Sequence, residues 1–214
     1  MHRQPSIYMK WFWGAGVPGE RPAYGHPATT FRVAFSSMIE LPVPPTLCQP
    51  SVSVRTSYLI GEQADMLHRD SDTSWLTAAS RDFDAFVAKR VGVRERWGVP
   101  SELFWYTSNE YYIGSLVIRH ELSEDEGGGH IGYHVVYPWQ RQGYATRMLR
   151  EALGRCAALD IRHALLTVAP DNAASLTVVD RCGGVADGVN EEGELRFWID
   201  TRLPSRSSAV HAAR

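Results

Sequence analysis

Cysteine is scarce in this chain, and its placement excludes two classes at once. Cys48, Cys156 and Cys182 are odd in number and far apart, so they form neither a disulfide framework nor the paired spacing of a metal site. The expectation is a reducing, cytoplasmic setting and no metal. A surplus of one charge sign is also missing, since 22 Lys and Arg face 24 Asp and Glu, with net charge −2 and a pI near 6.4. That leaves no basic footprint for a nucleic-acid partner. Long apolar runs are absent as well. None approaches the roughly 18 residues of a membrane-spanning helix, so no membrane partner is expected. The aromatic patch Tyr8–Trp13 is split by Lys10 and followed by Gly-Ala-Gly-Val-Pro, which does not make a signal peptide.

What is present divides the chain into three parts. Residues 1–50 hold eight of the twelve prolines and keep no sustained period. Residues 1–38 read as a poorly ordered extension, 39–203 as the folded domain, and 204–214 as a disordered tail. Met38 opens the first regular segment and is the expected true start; a natural N-terminal peptide from residues 2–37 would contradict this.

Within the domain the pattern is mixed. Met38–Val43 begins it as a strand. Ser51–Asp70 reads as a helix with Val54, Tyr58, Leu59 and Ala64 on one side. Ser80–Arg96 reads as a second, with Phe83, Phe86, Val87, Arg90 and Val91 at helical spacing. Three strand-like runs follow, Glu102–Ser108, Tyr111–His120 and His130–Tyr137, with a hairpin turn at Asn109-Glu110. The acidic, glycine-rich stretch Glu121–Gly129 precedes the third. After Gly143 comes an amphipathic helix with Met148, Leu149, Ala152, Leu153 and Cys156 on one face. His163–Ala169 is a short buried strand. Asp171 or Asn172 then caps a helix that stops at Gly183-Gly184. Glu194–Asp200 is the last strand, with one more possible before it. This order fits an α+β domain on a mostly antiparallel sheet.

The stretch Tyr137-Pro-Trp-Gln-Arg-Gln-Gly-Tyr-Ala-Thr146 joins a strand to a helix through a loop with one glycine, Gly143. Such a loop aims backbone N–H groups at one point beside the positive end of a helix dipole, which suits a pyrophosphate. It lacks the three glycines of a dinucleotide fingerprint and the Gly-Lys-Ser/Thr of a P-loop, so taken alone it is a turn.

Its flanks add meaning. The strand Gly129–Pro138, the loop Gln140-Arg-Gln-Gly-Tyr-Ala145, and Asn172-Ala-Ala-Ser175 followed by Arg181-Cys-Gly-Gly184 stand in the order seen in the GNAT superfamily of acyl-CoA N-acyltransferases. The chain resembles that superfamily over roughly Ile39–Thr201, and most resembles a subgroup of predicted acetyltransferases. The resemblance implies a mixed, mostly antiparallel sheet flanked by helices. Its strands His130–Tyr137 and His163–Ala169 would splay apart to form an acyl-CoA cleft. It implies acetyl-CoA as cosubstrate and a primary amine as acceptor, joined by direct attack in a ternary complex. Backbone groups near His134, Val135 and Val136 would pair with pantetheine. Gln140, Arg141, Gln142, Gly143, Tyr144 and Ala145 would hold the pyrophosphate, and Asn172 and Ser175 would lie near the pantetheine arm.

Proton handling is less defined. A lysine-like amine costs about 4–5 kcal/mol to deprotonate at neutral pH, an α-amine only about 1–1.5. The side-chain amine gains more from a general base. His130 and His134, on one face of their strand, are the candidate bases, with His120 a third. Glu121, Glu124, Asp125 and Glu126 can attract a cationic amine. The position where many relatives carry an acidic Tyr is Val179 here, which puts the usual general acid in doubt. Two rivals therefore stand beside the enzyme. One is a domain that senses acyl-CoA without turnover; the other is an unrelated α/β protein whose loop merely turns the chain. Neither the acceptor nor the oligomeric state is legible.

Overall fold

The computed structural model describes residues 40–96, 98–122 and 128–202. The N-terminal extension with Met38, the tail, and Glu124, Asp125 and Glu126 lie outside the described residues.

Among the described residues two antiparallel sheets form the scaffold. The first takes β1 (Thr46–Cys48), β2 (Val93–Arg96), β3 (Val99–Ser108), β4 (Tyr111–Arg119) and β5 (Ile131–Val135), in the order β1-β3-β4-β5, with β2 also pairing with β3. The second takes β6 (His163–Val168), β7 (Val185–Val189) and β8 (Leu195–Asp200), in the order β6-β8-β7. The β3–β4 hairpin turns where the sequence predicts it. Asn109 sits there at φ 48°, a left-handed conformation that asparagine tolerates well.

Among the described residues five α-helices flank the sheets: α1 (Arg55–His68), α2 (Ser74–Arg81), α3 (Phe83–Ala88), α4 (Tyr144–Ala158) and α5 (Ala173–Arg181). The single helix expected over Ser80–Arg96 is instead two helices and a strand. Asp82 breaks it at φ −144°, and its carboxylate caps α3 by accepting the Ala85 N–H at 2.9 Å. Gly92, at φ +75°, then turns the chain into β2. Residues 40–43, the described part of the expected first segment, form no strand; the strand is Thr46–Cys48, beyond the prolines that cannot join a ladder.

The core explains the helical stripes. Tyr58 from α1 stacks on Trp105 and tilts against Tyr112, both at 4.7 Å between ring centroids, with Phe83 and Phe86 closing the cluster. On α4 the predicted stripe Met148, Leu149, Ala152, Leu153 and Cys156 is buried throughout. Its polar flank has a second task. Glu151 Oε1 accepts the Leu47 N–H at 2.9 Å, and Arg155 Nη2 donates to the Leu47 carbonyl at 2.7 Å. Two side chains thus cover the outer edge of β1, where bare backbone would otherwise invite another strand.

Candidate functional site

β5 and β6 meet at one end. The meeting point is His130, just before β5. Its backbone N–H donates to the Leu165 carbonyl at 2.7 Å, and its Nδ1 accepts the Leu165 N–H at 3.0 Å. Gly129 permits this approach, because a Cβ there would stand 2.3 Å from the Leu165 carbonyl oxygen. Beyond His130 the strands belong to different sheets. Among the described residues β5 has β4 as its ladder partner and β6 has β8. One edge of β5 therefore carries no ladder beyond His130 among the described residues.

Ladder geometry decides which groups line that edge. Backbone N–H and C=O directions alternate along an antiparallel strand, so those of Tyr133 and Val135 turn away from β4. The Val136 N–H does not join them. It donates to Ile113 O at 3.1 Å, while the Val136 carbonyl accepts the Trp139 N–H at 2.9 Å. Gly114 sets the spacing behind this edge, since a Cβ there would stand 2.1 Å from the His134 carbonyl oxygen.

The chain leaves β5 through the short 3₁₀ turn Tyr137–Trp139 and enters the loop Gln140–Gly143. Arg141 (φ 65°) and Gly143 (φ 80°) are both left-handed. For Arg141 that conformation is strained; for glycine it is not. The first amide to find a partner inside α4 is Arg147, on Gly143 O at 3.2 Å. The N–H groups of Gly143, Tyr144, Ala145 and Thr146 therefore stand at the open, positive end of the helix. Side chains here do other work. The Gln142 amide donates to the Pro138 carbonyl at 3.2 Å, and the buried Tyr144 ring packs edge-on against Tyr106 and Trp139. Asn172 caps α5 by accepting the Ser175 N–H at 3.1 Å, which leaves its Nδ2 donors for other partners.

The two histidines proposed as bases are brought to this region but are already engaged. His130 is held to Leu165 through Nδ1, so its ring proton is on Nε2. Burial, helped by Arg119, pushes it down to about 4. His134 Nδ1 lies 3.2 Å from Arg69 Nη2; a guanidinium can only donate, so Nδ1 accepts. Its Nε2 is 3.3 Å from Asp65 Oδ2. Burial, with Arg69 adding to it, pushes His134 down to about 3. Both rings are neutral at physiological pH. His120 is at the far end of β4, its N–H on the Pro100 carbonyl. Val179 is fully buried against Gly184 and carries no acid.

Two acids stand out that the sequence reading did not single out. Glu62 and Asp65 lie on the buried face of α1 with Tyr58, Gly61 and Met66. Glu62 accepts the Tyr112 hydroxyl at 2.7 Å, and burial pushes its carboxyl up to about 8. The signal was available, because two carboxylates fall inside an apolar stripe at helical spacing.

Among the described residues no group of three or more His, Cys, Asp or Glu is placed to hold a metal ion. No helix among them is long and apolar enough to cross a membrane.

A family model described as an acetyltransferase (GNAT) domain matches residues 56–185, more than half of the chain. Among curated proteins, none matches the sequence. Solved structures share the fold. Mycobacterium smegmatis RimJ in complex with CoA-disulfide superposes with TM-score 0.50 at 19% identity, covering 74% of this chain and 86% of that one. The microcin C7 self-immunity acetyltransferase MccE, in complex with acetyl-CoA and AMP, gives 0.51 at 12% identity, covering 73% and 92%. RimL, a ribosomal L7/L12 α-N-protein acetyltransferase in complex with coenzyme A, gives 0.50 at 16%, covering 76% and 98%.

Proposed function

The chain belongs to the GNAT acetyltransferase family, and on that premise we propose that it moves an acetyl group from acetyl-CoA to a primary amine by direct attack in a ternary complex. The observation that carries this reading is the edge of β5 that turns away from β4 beyond the His130–Leu165 contact, with the α4 N-terminus at the end of the segment leaving β5. The residues fit the cosubstrate. A strand edge with outward amides suits pantetheine, and two left-handed loop residues before a helix start suit a pyrophosphate.

When bound, acetyl-CoA supplies an activated acyl group as a thioester. The Val135 edge of β5 orients the pantetheine arm and offers its N–H to developing negative charge. Gly143, Tyr144 and Ala145 hold the pyrophosphate through backbone N–H groups, with Gln140, Arg141 and Gln142 shaping the loop. Asn172 Nδ2 donates toward the pantetheine arm, beside Ser175. Val136 contributes packing, because both of its backbone groups are committed.

Neither His130 nor His134 serves as the base in this reading, because the ring nitrogen that would take a proton already accepts a bond. That favours an acceptor whose amine costs little to deprotonate near neutral pH. An amine near pKa 8 needs only about 1–1.5 kcal/mol, within reach of water. The unpaired state of Cys48, Cys156 and Cys182 supports a reducing, cytoplasmic setting.

One observation favours a second reading. With Val179 in the core and both histidines tied up, the chain can be a sensor that binds acyl-CoA without turnover. Thiol release from acetyl-CoA across a panel of α-amines and lysine-type amines decides between them. Release with α-amines is expected. Saturable CoA binding with no amine-dependent release supports the sensor, and absence of CoA binding overturns both.

A further inference from the structure

One buried carboxylate on α1 holds several parts of the segment that joins β5 to the loop. The Asp65 side chain is 1% exposed, and its Oδ2 is 2.9 Å from Arg69 Nε and 3.3 Å from His134 Nε2. Its Oδ1 accepts Gln140 Nε2 at 3.2 Å, and the backbone N–H of Tyr137 acts on the same carboxyl, helping to lower it. The Gln140 amide is shared, because Nε2 donates to the Val135 carbonyl at 2.9 Å as well. His134, Tyr137 and Gln140 thus converge on a residue from another element. They mark the end of the strand, the turn, and the first residue of the loop.

The helix is held close enough for this by Gly61, where a Cβ would stand 3.0 Å from Val136 Cγ2. The placement is costly. Burial raises the Asp65 carboxyl against the pull of Arg69, and an apolar residue of similar size packs a helix onto a sheet without that penalty. A cost of this kind is retained where geometry matters more than stability.

We propose that Asp65 is a positioning residue for the acyl-CoA loop. By holding His134 and Gln140 from α1, it sets the separation between the β5 edge that orients pantetheine and the α4 N-terminus that takes the pyrophosphate. The inference rests on the reading of Gln140–Ala145 as a phosphate loop. It assigns a role to a residue that touches neither the thioester nor the phosphates.

The test uses free CoA and calorimetry on the full chain. Asp65→Asn keeps the shape but turns one acceptor oxygen into a donor, and Gln140→Leu removes the loop's side of the same contact. Each is expected to weaken CoA binding about ten- to hundredfold, as loss of a bond to a charged group does. The double variant is expected to be no weaker than the worse single one, because both remove one linkage. With an acceptor amine, KM for acetyl-CoA rises by a similar factor while kcat stays within about threefold. Multiplicative losses in the double variant, or unchanged CoA affinity in folded Asp65→Asn, overturn the inference. If Asp65→Asn does not fold, unchanged CoA affinity in Gln140→Leu overturns it. Wild-type protein that binds no CoA overturns the phosphate-loop reading itself, so the two failures are distinguishable.

Discussion

His130 and Leu165 bind each other twice. Backbone donates to backbone at 2.7 Å, and the Leu165 amide donates back to the imidazole at 3.0 Å. A single residue, using main chain and side chain together, joins the two sheets. The His130 ring also lies 6.3 Å from that of Trp198 on β8, so the contact is packed from the second sheet as well. Removing the ring while keeping the backbone bond isolates its share. His130→Ala leaves the buried Leu165 N–H without its acceptor, which costs about 1–3 kcal/mol. Thermal unfolding is expected to shift down by several degrees for a domain of this size. A wild-type melting temperature in this variant would show that the ring carries none of that junction.

The same burial makes the protein acid-sensitive in a defined window. The folded-state values of His130, about 4, and His134, about 3, both lie below the ordinary histidine value of 6.5. The unfolded chain therefore binds more protons than the folded one between these limits. Stability from keeping the rings neutral is fully present above pH 6.5 and is lost as pH falls through about 4 and then about 3. Together the two groups are expected to remove on the order of 3–6 kcal/mol between pH 7 and pH 4. Urea unfolding at a series of pH values measures this. His134→Gln should flatten the decline by about half; a profile as steep as wild type would assign the loss to other groups.

Local chemistry made much of the fold legible and left long-range pairing out of reach. The Asn109 turn, the Asn172 cap and the α4 stripe each follow from a few neighbouring residues, and they are where the sequence puts them. The break at Asp82 was also written locally, but a strong apolar period on either side masked it. The position of β1 was not local at all. β1 depends on Glu151 and Arg155, more than 100 residues away. The site divides in the same way. The loop Gln140–Ala145 announces itself by its glycine and its flanks. The engagement of His130 and His134 depends on which ring nitrogen meets which distant donor, and a sequence pattern does not encode that. Asp65 and Glu62 were visible as acids inside an apolar stripe, a conflict between local composition and burial of the sort that marks functional or strained positions.

Glu62 is the simpler half of that conflict. It is 2% exposed, and its carboxyl is pushed up to about 8 chiefly by burial, with Asp65 also raising it. Because this acid's value is raised from 4.5, the folded chain holds the proton more tightly than the unfolded one. Stability is full below about pH 4.5 and declines as pH rises through about 8. Glu62→Gln keeps an acceptor for the Tyr112 hydroxyl and removes the titration. It is expected to stabilise the fold by about 2–3 kcal/mol at pH 7 and by less than about 1 kcal/mol at pH 5. Chemical denaturation of both proteins at the two pH values checks the sign and the trend. A variant less stable than wild type at pH 7 would mean that the neutral acid makes a bond the amide cannot replace.

Gly143 offers the most direct probe of the loop. At φ 80° it begins α4 in a conformation that asparagine and aspartate tolerate better than other side chains. A Cβ there meets nothing nearer than the Arg147 guanidinium at 4.0 Å, so Gly143→Asp is expected to fold. Its carboxylate would occupy the positive end of the helix, the place assigned to the pyrophosphate. The new charge is favourable for the helix itself, by about 0.3–1 kcal/mol, so the melting temperature should stay close to wild type or rise slightly. For CoA the same charge is repulsive at short range. Binding measured by calorimetry should weaken by at least about tenfold, with a larger effect at low salt, where screening is less. Gly143→Asn separates charge from shape, since it adds nearly the same volume without the carboxylate, and its loss of affinity should be several-fold smaller. Equal affinity for CoA in the aspartate variant and the wild type would remove the pyrophosphate from this end of α4.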